Sequence, residues 1–258
     1  MPVGDMCHVT AERPNERQRI APRRRPGYSV IVGTELSLPD ELPVMTLPNT
    51  VFFPQALLPL HIFEPRYRRM LADVLAAHRI FAVAQLNARE VDESAPLEPA
   101  HRVATAGIIR ACQKSGDGTS NLLLQGLCRV EFTALLREEP YRCVRLRPLA
   151  SQPGAEAGEN QRLRDELARL LSLKQKFGAT LPAEMAAFLQ TVEDPETFVD
   201  LAAFGLCDDA ALKQTLLETL DLHRRLRLFT TQVRADIEAI KVRRKLQGRL
   251  PDDDIPKN

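Results

Sequence analysis

Histidine and cysteine are the residues of this chain whose side chains most readily bind metals or act as nucleophiles. The sequence has five of each, namely His8, His61, His78, His101 and His223, and Cys7, Cys112, Cys128, Cys143 and Cys207. No two histidines have the i, i+4 spacing of a helical zinc site, and no two cysteines form a C-x-x-C motif. The spacing therefore predicts no metal site and no disulfide framework.

A cysteine nucleophile with a histidine base is the hydrolytic chemistry that these residues leave open. Cys128 or Cys143 would be the nucleophile and His101 the base. Both cysteines lie in segments of strand character, where a free cysteine is usually a small buried hydrophobic residue. A small-molecule hydrolase therefore stays as the weakest of the functional alternatives.

Two common catalytic motifs are missing from the sequence. It has no G-x-x-x-x-G-K-[ST] loop to cradle phosphates and no G-x-S-x-G around a serine nucleophile. We therefore predict no catalytic, cofactor-binding or metal-binding residues, and a chain that is not an enzyme.

The charges are nearly balanced but unevenly placed. Thirty-five basic and 34 acidic residues give a net charge of +1, which argues against a nucleic-acid coat or a membrane-surface protein. Residues 1–30 hold six arginines against three carboxylates. Scattered cysteines and the lack of an 18-residue apolar run predict a cytoplasmic protein with no membrane span.

The segment from Pro43 to Met70 carries the clearest local structural signals in the chain. It reads as two short apolar strands, Pro43–Leu47 and Leu57–Phe63, followed by a helix that Pro65 opens. Four prolines in and around these strands predict that the strands lie at a sheet edge or are interrupted by bulges. The helix repeats apolar residues every three or four positions, which indicates one buried face.

A β-rich region is predicted over residues 42–150. Further strands are expected at 80–86, 103–113, 120–130, 130–136 and 141–149, with Gly126 marking a bend or bulge. About six strands and one helix suggest an antiparallel sheet that forms a small closed or partly closed barrel.

The remainder is predicted to be helical. A polar segment over 151–160 is interpreted as a linker, and residues 161–247 as a helical bundle with a long final helix. The apolar residues of that helix are Leu222, Leu226, Phe229, Val233, Ile237 and Ile240. Residues 1–41 are predicted to be a disordered basic tail, and 248–258 an acidic tail.

Four sequence segments resemble the Lon substrate-binding domain, the N-terminal domain of ATP-dependent Lon proteases. They are FFPQALLPLHIFEPRYRRM at 52–70, VATAGII at 103–109, the DGT turn at 117–119 with Gly126 and Arg129 beyond it, and LPAE to EDP at 181–195. The first is similar to the free-standing bacterial members that lack the ATPase and protease domains. The resemblance implies a PUA-like barrel and an overall α+β fold.

The resemblance also implies a function without catalysis. It suggests a module that binds unfolded polypeptides or client proteins and that presents them to a separate ATP-dependent protease or chaperone. RNA binding is the alternative, because PUA-like barrels often bind RNA, although the charge balance argues against nucleic acid. Self-association through the helical region is a further expectation.

Four residues are candidates for contact with a peptide: Phe52, Phe53, His61 and Tyr67. Phe52 and Phe53 are adjacent in extended chain, so their side chains point to opposite sides. We expect one ring to fill the barrel. The other is either exposed or packed beneath the helical region.

Overall fold

The structure is a computed structural model that describes residues 28–30, 37–87, 99–177 and 183–247. The strands in these ranges are β1 (Tyr28–Val30), β2 (Ser37–Pro39), β3 (Glu41–Leu47), β4 (Leu57–Ile62), β5 (Ile80–Gln85), β6 (Val103–Lys114), β7 (Ser120–Arg137) and β8 (Cys143–Leu149). The helices are α1 (Pro65–Leu75), α2 (Ala157–Lys176), α3 (Ala183–Gln190), α4 (Pro195–Leu206), α5 (Ala210–Glu218) and α6 (Leu222–Gln247).

Five strands close into a barrel. β7 pairs with β6, β6 with β5, and β5 with β3, while β8 pairs with both β3 and β7, so the sheet returns to its first strand. Closure removes free edges from these strands. The predicted α+β fold is confirmed, with one correction. β3 and β5 run parallel, because β4 and α1 lie between them in the chain, so the sheet is mixed rather than antiparallel.

The two strands predicted to meet at Val130 are one continuous strand, β7, of 18 residues. Its first part pairs with β4 and its second part with β8. The pairing with β6 shifts register beside Gly126, which confirms the predicted bulge.

Gly126 is required because backbone passes directly over it. The amide of Gln55 donates to the Gly126 carbonyl at 3.0 Å, and the Gly126 amide donates to the Ala56 carbonyl at 2.9 Å. A Cβ at this position would overlap the carbonyl oxygen of Phe53. The glycine thus lets the loop before β4 lie against β7.

Four alanines of β5 and β6 distinguish the two buried clusters of the sheet, and the cluster that contains them is called the alanine cluster. On β5, Ala82 and Ala84 belong to one buried cluster, whereas Phe81 and Val83 belong to the other. Ala104 and Ala106 of β6 join the alanines of β5. Because successive strand residues point to opposite faces, we assign the alanine cluster to the interior and the phenylalanine cluster to the outside, beneath the helices.

The edge prediction is correct for β4 and wrong for β3. β4 is bonded to β7 alone among the described strands and carries Pro59. β3 lies between β8 and β5, and tolerates Pro43 because its first half pairs only with β8 and its second half only with β5.

The predicted helix after β4 is present as α1. Pro65 occupies its first turn, and Tyr67, Met70, Leu71 and Val74 form its buried face. This face covers the outer surface of the sheet, where the same cluster includes Phe52 and Phe53.

The long final helix is confirmed as α6, with five of its six predicted apolar residues buried. Ile240 is the exception, and it is only partly exposed. α6 runs alongside α2 in the same direction. Lys174 of α2 binds Asp236 of α6 at 2.6 Å, and Arg244 donates to the Phe177 carbonyl at 3.1 Å.

The segment over 151–160 is bonded to the rest of the protein, so its interpretation as a linker with nothing to pack is wrong. The Gln152 amide donates to the Leu220 carbonyl at 2.9 Å, and the Leu222 amide donates to the Gln152 carbonyl at 2.8 Å. Asn160 is buried within α2 and donates to the Pro153 carbonyl. The division into two domains stays a prediction.

The tail predicted over 1–41 reaches too far along the chain. β1 pairs with β2, Leu38 is buried with the alanine cluster, and Leu146 donates to the Asp40 carbonyl at 2.9 Å. Residues 1–27 and the predicted acidic tail over 248–258 lie outside the described residues.

A buried group of charges joins the barrel to the helices. Arg129 of β7 holds Asp200 of α4 through two hydrogen bonds of 2.7 and 2.6 Å, and Arg225 of α6 donates to the same carboxylate at 3.0 Å. All three side chains are at least 98% buried. Glu196 lies 3.6 Å from both arginines and balances the second positive charge.

The same arginines also complete the end of α5. Arg129 donates to the Leu217 carbonyl at 3.0 Å, and Arg225 donates to the Thr219 carbonyl at 2.9 Å. Burial lowers the pKa of Arg225, but a guanidinium remains protonated in proteins. The cluster therefore fixes a strand and three helices with matched charges.

No helix in the described ranges is both long and apolar enough to cross a membrane.

Replacing Asp200 by alanine should destabilise the fold by about 3–5 kcal/mol, because two buried guanidinium groups lose their carboxylate. Urea unfolding measures this loss. The matched control is Asp208→Ala at an exposed position, expected to change stability by about 0.5 kcal/mol or less. Equal stability of the two variants would contradict the role assigned to Asp200.

Gly126→Ala should destabilise the protein by about 1–3 kcal/mol, because the added methyl group overlaps the Phe53 carbonyl. Gly116→Ala is the control, since an added Cβ there meets nothing within 4 Å. Thermal unfolding of both variants provides the measurement, and a melting temperature for Gly126→Ala equal to that of wild type is the contrary outcome.

Candidate functional site

An open apolar groove lies between the start of β4 and helices α3 and α4. Its volume is about 470 Å³. Its lining consists of Gln55, Ala56 and Leu57 on the sheet side and of Met185, Phe188, Leu201 and Phe204 on the helix side.

Two large apolar side chains of the groove are half-exposed. Leu57 and Phe188 each leave 51% of their surface accessible. Full burial of such a side chain contributes about 1.5–3 kcal/mol, so part of that free energy remains unused at each position. Contiguous exposed apolar surface of this kind is typical of an interaction site.

The groove wall rests on the Phe52–Phe53 segment. The ring of Phe52 meets that of Phe204 edge to face, with centroids 6.3 Å apart. Thr105 of β6 donates to the Phe52 carbonyl at 2.6 Å, and Phe53 lies against Gly126. The wall is therefore held by both the barrel and the helices.

Polar groups stand at the margins of the groove. Arg110 donates to Gln125 at 2.6 Å, and Gln125 contacts Gln55 at 3.4 Å. On the helix side the ammonium of Lys213 lies 5.9 Å from the centre of the Phe204 ring. Burial lowers the pKa of Lys213. The groove thus has apolar walls with cationic groups nearby.

Of the four predicted peptide contacts, three are buried. Phe52 and Phe53 are 1% and 0% exposed, so the expectation of an exposed ring is wrong. Both belong to the buried cluster beneath the helices, so the expectation that one ring fills the barrel is also wrong. Tyr67 is also buried, and its hydroxyl donates to the Thr46 carbonyl at 3.3 Å. These side chains support the surface from below and do not form it.

His61 is the predicted contact that lies at the surface. Its Nδ1 is 2.7 Å from Oδ1 of Asn121, and its ring stacks on Phe63, which is 60% exposed. The pair lies at the far end of β4 from the groove. A role for His61 in binding stays a prediction.

The thiols considered as nucleophiles are poorly suited to that chemistry. Burial raises the pKa of Cys128 to about 11 and also raises the pKa of Cys143, so both remain protonated at neutral pH. His101 lies 3.5 Å from Glu218. Within the described ranges no cluster of three or more histidine, cysteine or acidic residues is suited to a metal ion.

The sequence places Met185, Phe188, Leu201 and Phe204 within the predicted helical bundle and does not mark them as groove residues. The spacing of apolar residues identifies a helix face but not what covers it. Leu57 carried a better signal, since it begins an edge strand whose alternate residues face outward.

The chain matches known proteins over most of its described length. The sequence-family model of the ATP-dependent protease La (LON) substrate-binding domain matches residues 41–234. Lon protease of Syntrophus aciditrophicus is 29% identical over 219 residues, which cover 84% of this chain and 28% of the relative. Lon protease 2 of Thermus thermophilus is 27% identical over 216 residues, with 84% and 27% covered. The chain spans about a quarter of the length of these relatives.

Two solved structures share the fold. The N-terminal domain of Mycobacterium avium complex Lon protease superposes with a TM-score of 0.59 at 18% identity, covering 75% of this chain and 97% of that one. A Lon N-terminal domain protein from Xanthomonas campestris gives 0.51 at 21% identity, with 72% and 95% covered.

The raised pKa of Cys128 predicts slow alkylation of its thiol in the folded protein at mildly alkaline pH. Iodoacetamide labelling followed by mass spectrometry, with and without urea, tests this. Folding favours the protonated thiol of Cys128. Its contribution to the free energy of unfolding is therefore fully present below the unfolded pKa of about 9 and is lost as the pH rises towards 11. Equal labelling rates in both conditions would show that the thiol is not protected.

Proposed function

We propose that this chain, which belongs to the family of ATP-dependent protease La (LON) substrate-binding domains, binds extended polypeptide segments in the apolar groove beside β4. The observation that carries the proposal is the pair of half-exposed side chains, Leu57 and Phe188, that line this groove. Apolar side chains of an unfolded segment would complete their burial.

The groove suits side chains of varied shape. Met185 lines it with a flexible, polarisable thioether, which adapts to different partners. The adjacent β4 is an edge strand, a common docking element for extended peptides. Pro59 interrupts the row of backbone donors on that strand, so binding relies on side-chain burial more than on continuous strand pairing.

Binding without cleavage is the proposed role. The matched region of the relatives is their substrate-binding domain, and the two candidate thiols are protonated at neutral pH. The chain would hold clients and present them to a separate ATP-dependent protease. A cytoplasmic location and self-association through the helical region stay predictions.

RNA binding receives less support from the described surface. The exposed arginines of β8 are engaged by acids, Arg145 by Glu41 at 2.9 Å and Arg147 by Glu131 at 2.6 Å. Paired arginines neutralise fewer phosphates, and phosphate neutralisation supplies most non-specific affinity for nucleic acid.

The double variant Leu57→Ser/Phe188→Ser should bind a labelled, permanently unfolded polypeptide about 5- to 30-fold more weakly, which corresponds to about 1–2 kcal/mol of lost apolar burial. Fluorescence anisotropy with the whole chain provides the measurement.

Val242→Ser is the matched control, since Val242 is 55% exposed on α6 and does not line the groove. Its binding should equal that of wild type. If the double variant binds as tightly as this control while both retain the wild-type melting temperature, the groove is not the binding surface.

A further inference from the structure

A second cleft separates α1 from the hairpin formed by β6 and β7. Its volume is about 500 Å³. α1 contributes Arg68, Arg69 and Leu75 to its walls, and the hairpin contributes Cys112 and Lys114. The cleft is therefore both cationic and apolar.

The cations of this cleft differ in what they contact. Arg69 is paired with Asp73 at 3.2 Å on the same helix. Arg68 and Lys114 form no ion pair with any residue that the structure describes, and they stand on opposite walls. The guanidinium of Arg68 lies against Gly118 in the hairpin turn, where a Cβ would overlap it. Two cations thus face the cleft without a partner on its walls.

The acidic residue of the hairpin turn, Asp117, already has hydrogen-bond partners. The carboxylate of Asp117 accepts from the Thr119 amide at 2.9 Å and from the Thr119 hydroxyl at 2.7 Å. These bonds, led by the one from the amide, lower the pKa of Asp117. Both bonds go to Oδ1, and no ion pair in the described residues joins this carboxylate to Arg68 or Lys114, so both cations remain available to an outside anion.

The floor between the cations is aliphatic. Leu75 is 38% exposed and lies beside Ala72 and Cys112. No aromatic side chain lines the cleft, so it lacks the stacking platform that single-stranded nucleic acid uses. A ligand that fits must combine carboxylate groups with aliphatic side chains.

We propose that this cleft binds an acidic segment of a polypeptide, with carboxylates on Arg68 and Lys114 and an aliphatic side chain on Leu75. The cleft and the apolar groove lie towards opposite ends of β4, since Leu57 lines the groove and Ser120, the partner of Ile62, lines the cleft. The six-residue strand between them is ~20 Å long, a distance that one extended chain spans. This site adds a charge preference that the apolar groove alone does not supply.

The test uses two short labelled peptides, one rich in glutamate and leucine and the other with glutamine in place of each glutamate. Anisotropy titrations at low salt compare wild type, the double variant Arg68→Gln/Lys114→Gln and the control Arg169→Gln, an exposed arginine of α2. The double variant should bind the glutamate peptide about fivefold or more weakly, whereas the control should match wild type. Wild type should bind the glutamine peptide more weakly than the glutamate peptide. The affinity for the glutamine peptide should be the same for wild type, the double variant and the control.

Three outcomes would overturn the proposal. The first is equal affinity of wild type and the double variant for the glutamate peptide. The second is equal affinity of wild type for the two peptides. The third is tighter binding of a single-stranded oligonucleotide that the double variant loses, which would assign the cleft to nucleic acid. The groove variant Leu57→Ser/Phe188→Ser should keep its affinity for the glutamate peptide, so failure of the groove and failure of the cleft are distinguishable.

Discussion

The sharing of Asp200 by Arg129 and Arg225 is the interaction on which the rest of the structure depends. Burying these charges is favourable only when each has its partners, so β7, α4 and α6 must come together as one arrangement. The same guanidinium groups satisfy the Leu217 and Thr219 carbonyls at the end of α5, where a helix has no partners of its own. The position of α4 follows from this arrangement, and with it the helix-side wall of the groove.

Much of the fold was predictable because local signals agreed with it. Pro65 starts α1, Pro59 marks an edge strand, and the apolar spacing of α6 gives its buried face. Pairing between distant strands was not predictable in the same way. The parallel contact of β3 with β5 and the continuity of β7 depend on which strands meet, and apolar periodicity carries no information about that. The tail and linker boundaries were wrong because a few backbone hydrogen bonds are enough to hold polar segments in place.

The candidate site, like the fold, could be predicted only in part from the sequence. Alternation in extended chain indicated that Phe52 and Phe53 face opposite ways, but not that each side is covered. Both rings instead lie in the buried cluster outside the barrel, and the exposed apolar groups are Leu57 and Phe188. Membership of the LON substrate-binding domain family supplies the expected kind of ligand. The groove is the proposed location, and its walls come from sequence positions more than 120 residues apart.

A groove with one wall on the barrel and the other on the helices is thermodynamically coupled to the association of those two parts. An occupant that touches both walls favours the arrangement in which they face each other, and by mass action this effect grows with its concentration. Conversely, loosening the contact between barrel and helices lowers affinity even when every lining residue is unchanged. The proposed binding and the association of the barrel with the helices would therefore be thermodynamically linked.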